Sequence, residues 1–222
     1  MRCRPGPDGV AWAGPGVGRA RGYRVPVTSE QLLIRPALPA DVRAIRALVQ
    51  PYAEQRILLA KEWVGYYEAV QEFVVAETPD GTVVGCGALH VMWQDLAEIR
   101  TLAVDPAYRG RRVGHALLDA LVERARALGL RRVFCLTFEV DFFTAHGFHA
   151  IEGTPVTTDV YAELLRSHDD GVAEFLDLAR VKPNTLGNTR MLIELDGPEH
   201  GAPEHGAPEP GTPDARASEP RA

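Results

Sequence analysis

Nothing in this 222-residue chain approaches the ~18 consecutive apolar residues that a membrane-spanning helix needs. The N-terminal stretch MRCRPGPDGVAWAGPGVGRARG carries charge but no apolar core, so it does not read as a secretory signal. A cytoplasmic protein is expected. Cysteine is scarce: Cys3, Cys86 and Cys135, an odd number at scattered spacing. That pattern excludes a disulfide framework and a paired zinc site. Cys86 and Cys135 lie in apolar runs and are expected as buried thiols. An excess of positive charge is also missing, since Lys and Arg number 24 against 30 Asp and Glu, a net −6. The chain as a whole is therefore not an electrostatic nucleic-acid binder, although a local basic patch is compatible with that balance.

What is present suits one folded block with tails. The chain is 45% hydrophobic and 24% charged, enough for a single core. Residues 1–28 are rich in Gly, Pro and Arg without periodicity and are expected to be a disordered leader. Residues 197–222 repeat PEHGA and then degenerate, which predicts a flexible acidic tail. His200 and His205 in that tail are read as incidental, and no metal is expected. The block between, 29–196, opens on the strand LLIRPAL. A helix follows with Val42, Ile45, Leu48 and Val49 on one face, ended by Pro51. KEWVGYYEAVQ reads as a second helix. EFVVAE and VVGCGALHVMW form a hairpin around Asp80-Gly81. LAEIRTLAV is a strand, and VGHALLDALVERARALG is an amphipathic helix stopped by Gly129. RRVFCLTF is a buried strand, and VDFFTAHGF a short helix closed by Gly147. TDVYAELLRSHDDGVAEFLDLA has helical patterning and precedes the strand TRMLIEL. The order implies an α+β or α/β sandwich around a mixed sheet.

The chemistry concentrates in LAVDPAYRGRRVGHALL. A strand ends at Val104, a basic glycine-containing loop follows, and a helix begins. The first N–H groups of a helix lack internal partners and carry partial positive charge. Glycine lets backbone approach an anion closely, and Arg109, Arg111 and Arg112 add formal charge. A pyrophosphate is a suitable ligand. It is not a Walker loop, because no Gly-Lys-Ser/Thr follows, and it lacks the spacing and acidic partner of a Rossmann fingerprint.

Together with FFTAHGF, this stretch resembles the GCN5-related N-acetyltransferases (GNAT). Their loop reads Arg/Gln-x-x-Gly-x-Gly/Ala, matched by Arg109 and Gly114, with Arg112 as a departure. Their later signature, Phe-Tyr-x-x-x-Gly-Phe, is matched by Phe142, Gly147 and Phe148, with Phe143 in place of tyrosine. The resemblance implies an α+β fold: a mixed, mostly antiparallel sheet flanked by helices and splayed between its fourth and fifth strands. It implies acetyl-CoA as co-substrate in that gap. The N–H groups of Gly110, Arg111, Arg112, Val113, Gly114 and His115 would hold the pyrophosphate, with Arg109 and Phe143 nearby. The backbone of Leu102, Ala103 and Val104 would pair with the pantetheine arm as an added strand. An amine would attack the thioester directly, with no covalent enzyme intermediate. Arg112 is expected in ordinary helical backbone space, where it adds charge without strain.

YAEQRILLAKEWVGYYEAVQEFVVAE, GCGALHVMWQDLAEIRTLAVDP and VKPNTLGNTRML extend the resemblance to short, single-domain amino-acid N-acetyltransferases that act as N-acetylglutamate synthases. Longer members carry an arginine-sensing kinase-like domain, and with fewer than about 30 residues before the block no such sensor is expected. Glutamate carries two carboxylates, which call for cations. Arg56, Lys61, Asn188, Thr189 and Arg190 are the candidates, the last two standing where the longer members have Ser-Lys. An ammonium cannot attack, so a base is needed. Glu98 is the first choice, His90 the second and Glu139 the third. Other small amines (glutamine, an antibiotic, a protein N-terminus) stay open as acceptors, as do a non-catalytic acyl-CoA-binding module and a homodimer. No nucleic acid or membrane partner is expected.

Overall fold

The computed structural model describes residues 23–27, 30–59, 61–178 and 187–196. Most of the leader, the acidic tail with its histidines, Cys3 and the segment 179–186 lie outside them. The strands are β1 (Tyr23–Val27), β2 (Glu30–Pro36), β3 (Phe73–Glu77), β4 (Val83–Trp93), β5 (Leu96–Val104), β6 (Arg132–Thr137), β7 (His149–Ala150) and β8 (Thr189–Glu194). The helices are α1 (Val42–Glu54), α2 (Trp63–Glu68), α3 (Val113–Ala127), α4 (Val140–Thr144), α5 (Thr158–Leu164) and α6 (Asp170–Phe175). The sheet order is β1-β2-β3-β4-β5-β6-β8-β7. Every neighbouring pair is antiparallel except β5 and β6.

Two expectations are corrected. Tyr23–Val27, read as part of the leader, pairs with β2 through Tyr23↔Ile34 to Val27↔Glu30. The folded block thus reaches back to Tyr23, because a sheet edge supplies hydrogen bonds that local composition does not reveal. Pro51 does not end α1, which continues to Glu54. Near the last turn a proline forfeits a single N–H donor, a loss the packed helix tolerates.

Both faces of the sheet are covered, so its central strands are apolar on both sides. Val74 and Ala76 of β3 pack with α3 residues Leu117, Leu118 and Leu121. Phe73 and Val75 pack on the other face with Val42, Ile45 and Val49 of α1. A third cluster joins Leu96, Phe134 and Met92 to Val172 and Phe175 of α6. Two glycines of β4 set the height of α3. A Cβ at Gly85 would lie 2.9 Å from Leu117 Cδ1, and one at Gly87 2.9 Å from Leu121 Cδ1. Cys86 and Cys135 are buried free thiols. Among the described residues no helix is long and apolar enough to cross a membrane.

The sheet forks. β5 and β6 pair from Leu96↔Arg132 only as far as Glu98↔Phe134. Beyond that point β5 stays with β4 up to Val104↔Gly85, and β6 stays with β8 up to Thr137↔Thr189. These are the two strands between which the splay was expected. They rank fifth and sixth because Tyr23–Val27 adds one strand.

Candidate active site

The open edge of β5 carries a bulge. Between the pairs Ala88↔Arg100 and Cys86↔Ala103, β4 contributes Gly87 while β5 contributes Thr101 and Leu102. Thr101 has φ +60 and is 7% exposed. A buried β-branched residue in the left-handed region is strained by about 1–3 kcal/mol, a cost that concentrates at functional sites. The Asp105 N–H donates to Val84 O at 2.9 Å. Hydrogen-bonded pairs alternate along an antiparallel ladder, so the peptide groups of Val104 and Leu102 face the fork, whereas those of Ala103 face β4. Ala103, expected to bond the pantetheine arm, therefore spaces the strand rather than donating to the gap. The Tyr52 hydroxyl donates to Val104 O at 2.8 Å, and Arg109 Nη2 donates to the Tyr52 oxygen at 2.9 Å.

The basic loop begins at Arg109. Gly110 has φ +73. Arg112, the residue before α3, has φ 62 and ψ 14, which corrects the expectation of ordinary helical space. The left-handed conformation costs about 1–2 kcal/mol for a non-glycine residue. Arg112→Gly removes that strain and adds unfolded-state entropy of about 0.5–1 kcal/mol. A net stabilisation of roughly 0.5–1 kcal/mol is expected in urea unfolding, and an unchanged midpoint would contradict the strain. The Ala116 N–H donates to Arg112 O at 3.1 Å. The N–H groups of Val113, Gly114 and His115 precede this first helical bond and are open to an anion. Phe143, expected beside the co-substrate, is 5% exposed and packs in the core, 5.2 Å from Phe148. Phe142 is the ring that approaches the start of α3, 3.6 Å from a Cβ placed on Gly114.

Where the strands part, charged side chains meet. Glu98 is 3% exposed, and its Oε2 has no hydrogen-bond partner among the described residues. Arg100 Nη1 lies 3.9 Å from it. Arg100 also pairs with Asp169 at 2.7 Å and Glu72 at 3.0 Å, and Glu72 holds His90 Nδ1 at 2.7 Å. Burial pushes the Glu98 carboxyl above the usual range, with Arg100 opposing. Burial and then Arg100 lower the affinity of Lys61 for its proton, while Asp169, Glu72 and Glu98 oppose. Lys61 therefore stands within the field of the Glu98 cluster. His90, the second base candidate, is engaged with Glu72. Glu139, the third, is exposed at the start of α4.

Helix α6 covers this cluster. A Cβ on Gly171 would lie 2.6 Å from Arg100 Nη1 and 3.1 Å from Glu98 Oε2. Glu174, one turn later on the same face, is 8% exposed. Burial, and next the charge of Glu98, push its carboxyl from 4.5 up to about 8. The folded state thus keeps this proton over a range where the unfolded state releases it. The associated stability is present below about pH 4.5 and lost as pH rises to about 8. Glu174→Gln removes that titration. Its melting temperature is expected to gain on the wild type progressively between about pH 5 and about pH 8, and a pH-independent difference would contradict this.

Arg190, expected to pair a substrate carboxylate, is committed elsewhere. Its Nε donates to Gly153 O at 2.9 Å, Nη1 to Glu174 O at 3.4 Å and Nη2 to Phe175 O. It is a clamp holding α6 against β8, because the end of a helix leaves carbonyls that need donors. Thr189 lies in register with Thr137, and Asn188 Oδ1 is buried without a partner among the described residues. Arg56 is exposed in a left-handed turn just after α1. Sequence reasoning missed Tyr52, Glu72, Arg100, Asp169, Gly171 and Glu174. Arg100 had a signal, since it lies two residues from Glu98 and so on the same face of a strand that reads as buried.

The family described as Acetyltransferase (GNAT) family matches residues 42–151. An amino-acid acetyltransferase of Mycobacterium tuberculosis is 62% identical over 165 residues, covering 73% of this chain and 94% of that protein. One from Azotobacter vinelandii is 37% identical over 124 residues, covering 55% of this chain but only 28% of its own length. A solved structure of a Mycobacterium tuberculosis protein in complex with CoA and NLQ has 62% identity and a TM-score of 0.72, covering 73% of this chain and 99% of that one. N-acetylglutamate synthase of Neisseria gonorrhoeae, complexed with coenzyme A and N-acetyl-glutamate, has 26% identity and a TM-score of 0.59, covering 74% of this chain and 35% of that one.

Proposed function

The chain belongs to the acetyltransferase (GNAT) family, and on that premise we propose that it transfers the acetyl group of acetyl-CoA to the α-amino group of L-glutamate, the step that forms N-acetylglutamate for arginine synthesis. Its relatives make it an acetyl-CoA-dependent enzyme of the amino-acid acetyltransferase type. The fork, the outward peptide groups of Leu102 and Val104 and the open turn of α3 suit that co-substrate. One observation carries the reading: a buried carboxylate oxygen of Glu98 that has no hydrogen bond among the described residues, where the strands separate. Acetyl-CoA supplies the thioester carbonyl. Glu98 takes a proton from the substrate ammonium, and its raised proton affinity suits that task. The freed nitrogen attacks the carbonyl and the C–N bond forms; as the C–S bond breaks to release the thiolate, the nitrogen gives up its second proton to solvent. A thiolate is a tolerable leaving group, and solvent protonates it.

Lys61 feels the charges of Asp169, Glu72 and Glu98 and can pair the α-carboxylate of the acceptor. Lys61→Ala is expected to raise KM for glutamate by about tenfold or more, with KM for acetyl-CoA nearly unchanged. Equal effects on both constants would remove Lys61 from the acceptor site. The commitment of Arg190 to carbonyls withdraws one cation from the acceptor's side-chain end. That favours glutamine as the second reading. The acetylated acceptor in the Neisseria gonorrhoeae complex supports glutamate.

A further inference from the structure

Between α1 and α2 lies a cavity of about 200 Å³, lined by Arg46, Gln50, Ala53, Glu54, Lys61 and Tyr66. Its α1 residues recur at helical spacing and share one flank, beside the row of Val42, Ile45 and Val49 that packs on the sheet. Polar groups in this cavity lack partners. Arg46 and Lys61 make no ion pair or hydrogen bond among the described residues. The Arg46 guanidinium lies 4.5 Å from the centre of the Trp63 ring, a cation–π contact that holds it while leaving its N–H donors unused. Tyr66 is 3% exposed, yet its hydroxyl has no hydrogen bond among the described residues. Burial pushes that phenol up to about 12, with the charge of Arg46 opposing, so it is a donor at neutral pH. Glu54, the carboxylate of the lining, is exposed and accepts from Gln50 Nε2 at 3.0 Å.

Two cations and a buried phenol donor around one cavity suit an anion with several acceptor atoms, and a carboxylate is such a group. A buried donor without a partner is costly, and a bound carboxylate would satisfy it. The cavity also reaches the transfer centre. Lys61 lines it and feels the charges of Asp169, Glu72 and Glu98. Tyr66 packs in the cluster of Cys86 and Ala103, the residue that follows the β5 bulge. An amino acid with its α-carboxylate on Lys61 and its nitrogen toward Glu98 has its side chain left to enter the cavity, toward Arg46.

We propose that Arg46, with the Tyr66 hydroxyl, receives the side-chain carboxylate of the acceptor and so selects an acidic amino acid over its amide. Arg46 supplies the cation that Arg190 withholds. A carboxylate accepts from both donors, whereas an amide turns an N–H₂ group toward one of them or offers a single oxygen. The proposal rests on the reading that Lys61 and Glu98 hold the acceptor for acetyl transfer.

Thiol release by the full chain compares L-glutamate with L-glutamine. In Arg46→Gln the ratio of kcat/KM for L-glutamate to that for L-glutamine is expected to fall about tenfold or more, through a higher KM for L-glutamate. Tyr66→Phe keeps the packed ring and is expected to lower the same ratio several-fold. A packing defect would weaken both acceptors alike, so an unchanged ratio in Arg46→Gln overturns the proposal and leaves the transfer reading standing. Titration calorimetry of L-glutamate into the chain with CoA bound reads the site without turnover. Several-fold weaker binding is expected in Arg46→Gln. Equal affinity in the wild type and the variant, or no binding by the wild type, overturns the proposal. Binding that weakens in Arg46→Gln without thiol release from acetyl-CoA would keep the carboxylate site and remove the transfer reading instead.

Discussion

Glu98→Gln is expected to lower kcat by about 10²- to 10⁴-fold while leaving acetyl-CoA affinity near the wild-type value. The amide keeps the shape of the carboxylate but cannot accept a proton from an ammonium. The fold should tolerate it, because the buried oxygen Oε2 already lacks a hydrogen bond among the described residues and the change removes a buried charge. The pH profile separates this role from a structural one. Wild-type kcat should rise with pH as Glu98 ionises, at a pH above the ordinary carboxylate range because burial raises its proton affinity. The variant should lack that limb. Unchanged turnover would remove Glu98 as base and leave His90, which Glu72 already holds.

Arg100→Ala should give the largest loss of stability. Its guanidinium, 10% exposed, bonds Asp169 and Glu72 and lies 3.9 Å from Glu98. Removing it leaves carboxylates together in a covered pocket, a loss of about 3–5 kcal/mol for a broken buried pair. The defect should depend on pH with a definite sign. Burial pushes the Asp169 carboxyl up, but the hydrogen bond and charge of Arg100 outweigh this and hold it at about 2, against 3.8 ordinarily. The stabilisation is present above about pH 3.8 and lost as pH falls toward about 2. The gap between wild type and variant in urea unfolding should therefore narrow below about pH 4. A constant gap would mean that Arg100 acts by packing alone.

Much of this arrangement was legible in short stretches. The hairpin at Asp80-Gly81, the long helix after the basic loop and the strand LAEIRTLAV each depend on local pattern, and each forms. Glu98 could be singled out as a base candidate because the resemblance puts its strand beside the acetyl group. Features set by distant partners were not. Tyr23–Val27 becomes a strand because β2 offers it an edge. Thr101 is left-handed because β4 contributes one residue where β5 contributes two, and nothing in Arg-Thr-Leu announces that. Arg112 was judged by what its side chain could add, whereas its backbone is decided by the turn after Gly110. Arg190 was assigned by residue type, and the end of α6 determines what it bonds. Glu72, Asp169 and Glu174 reach Glu98 and Arg100 from segments that no local pattern connects to β5.

The most direct measurement is release of free thiol from acetyl-CoA by the purified chain across a panel of amines: L-glutamate, L-glutamine, other amino acids, an aminoglycoside and a peptide with a free N-terminus. The account predicts saturable release with L-glutamate at the highest kcat/KM of the panel, with one N-acetylglutamate formed per thiol. Preference for glutamine would keep the chemistry and shift the acceptor to the second reading. Binding of acetyl-CoA without thiol release on any amine would contradict the account.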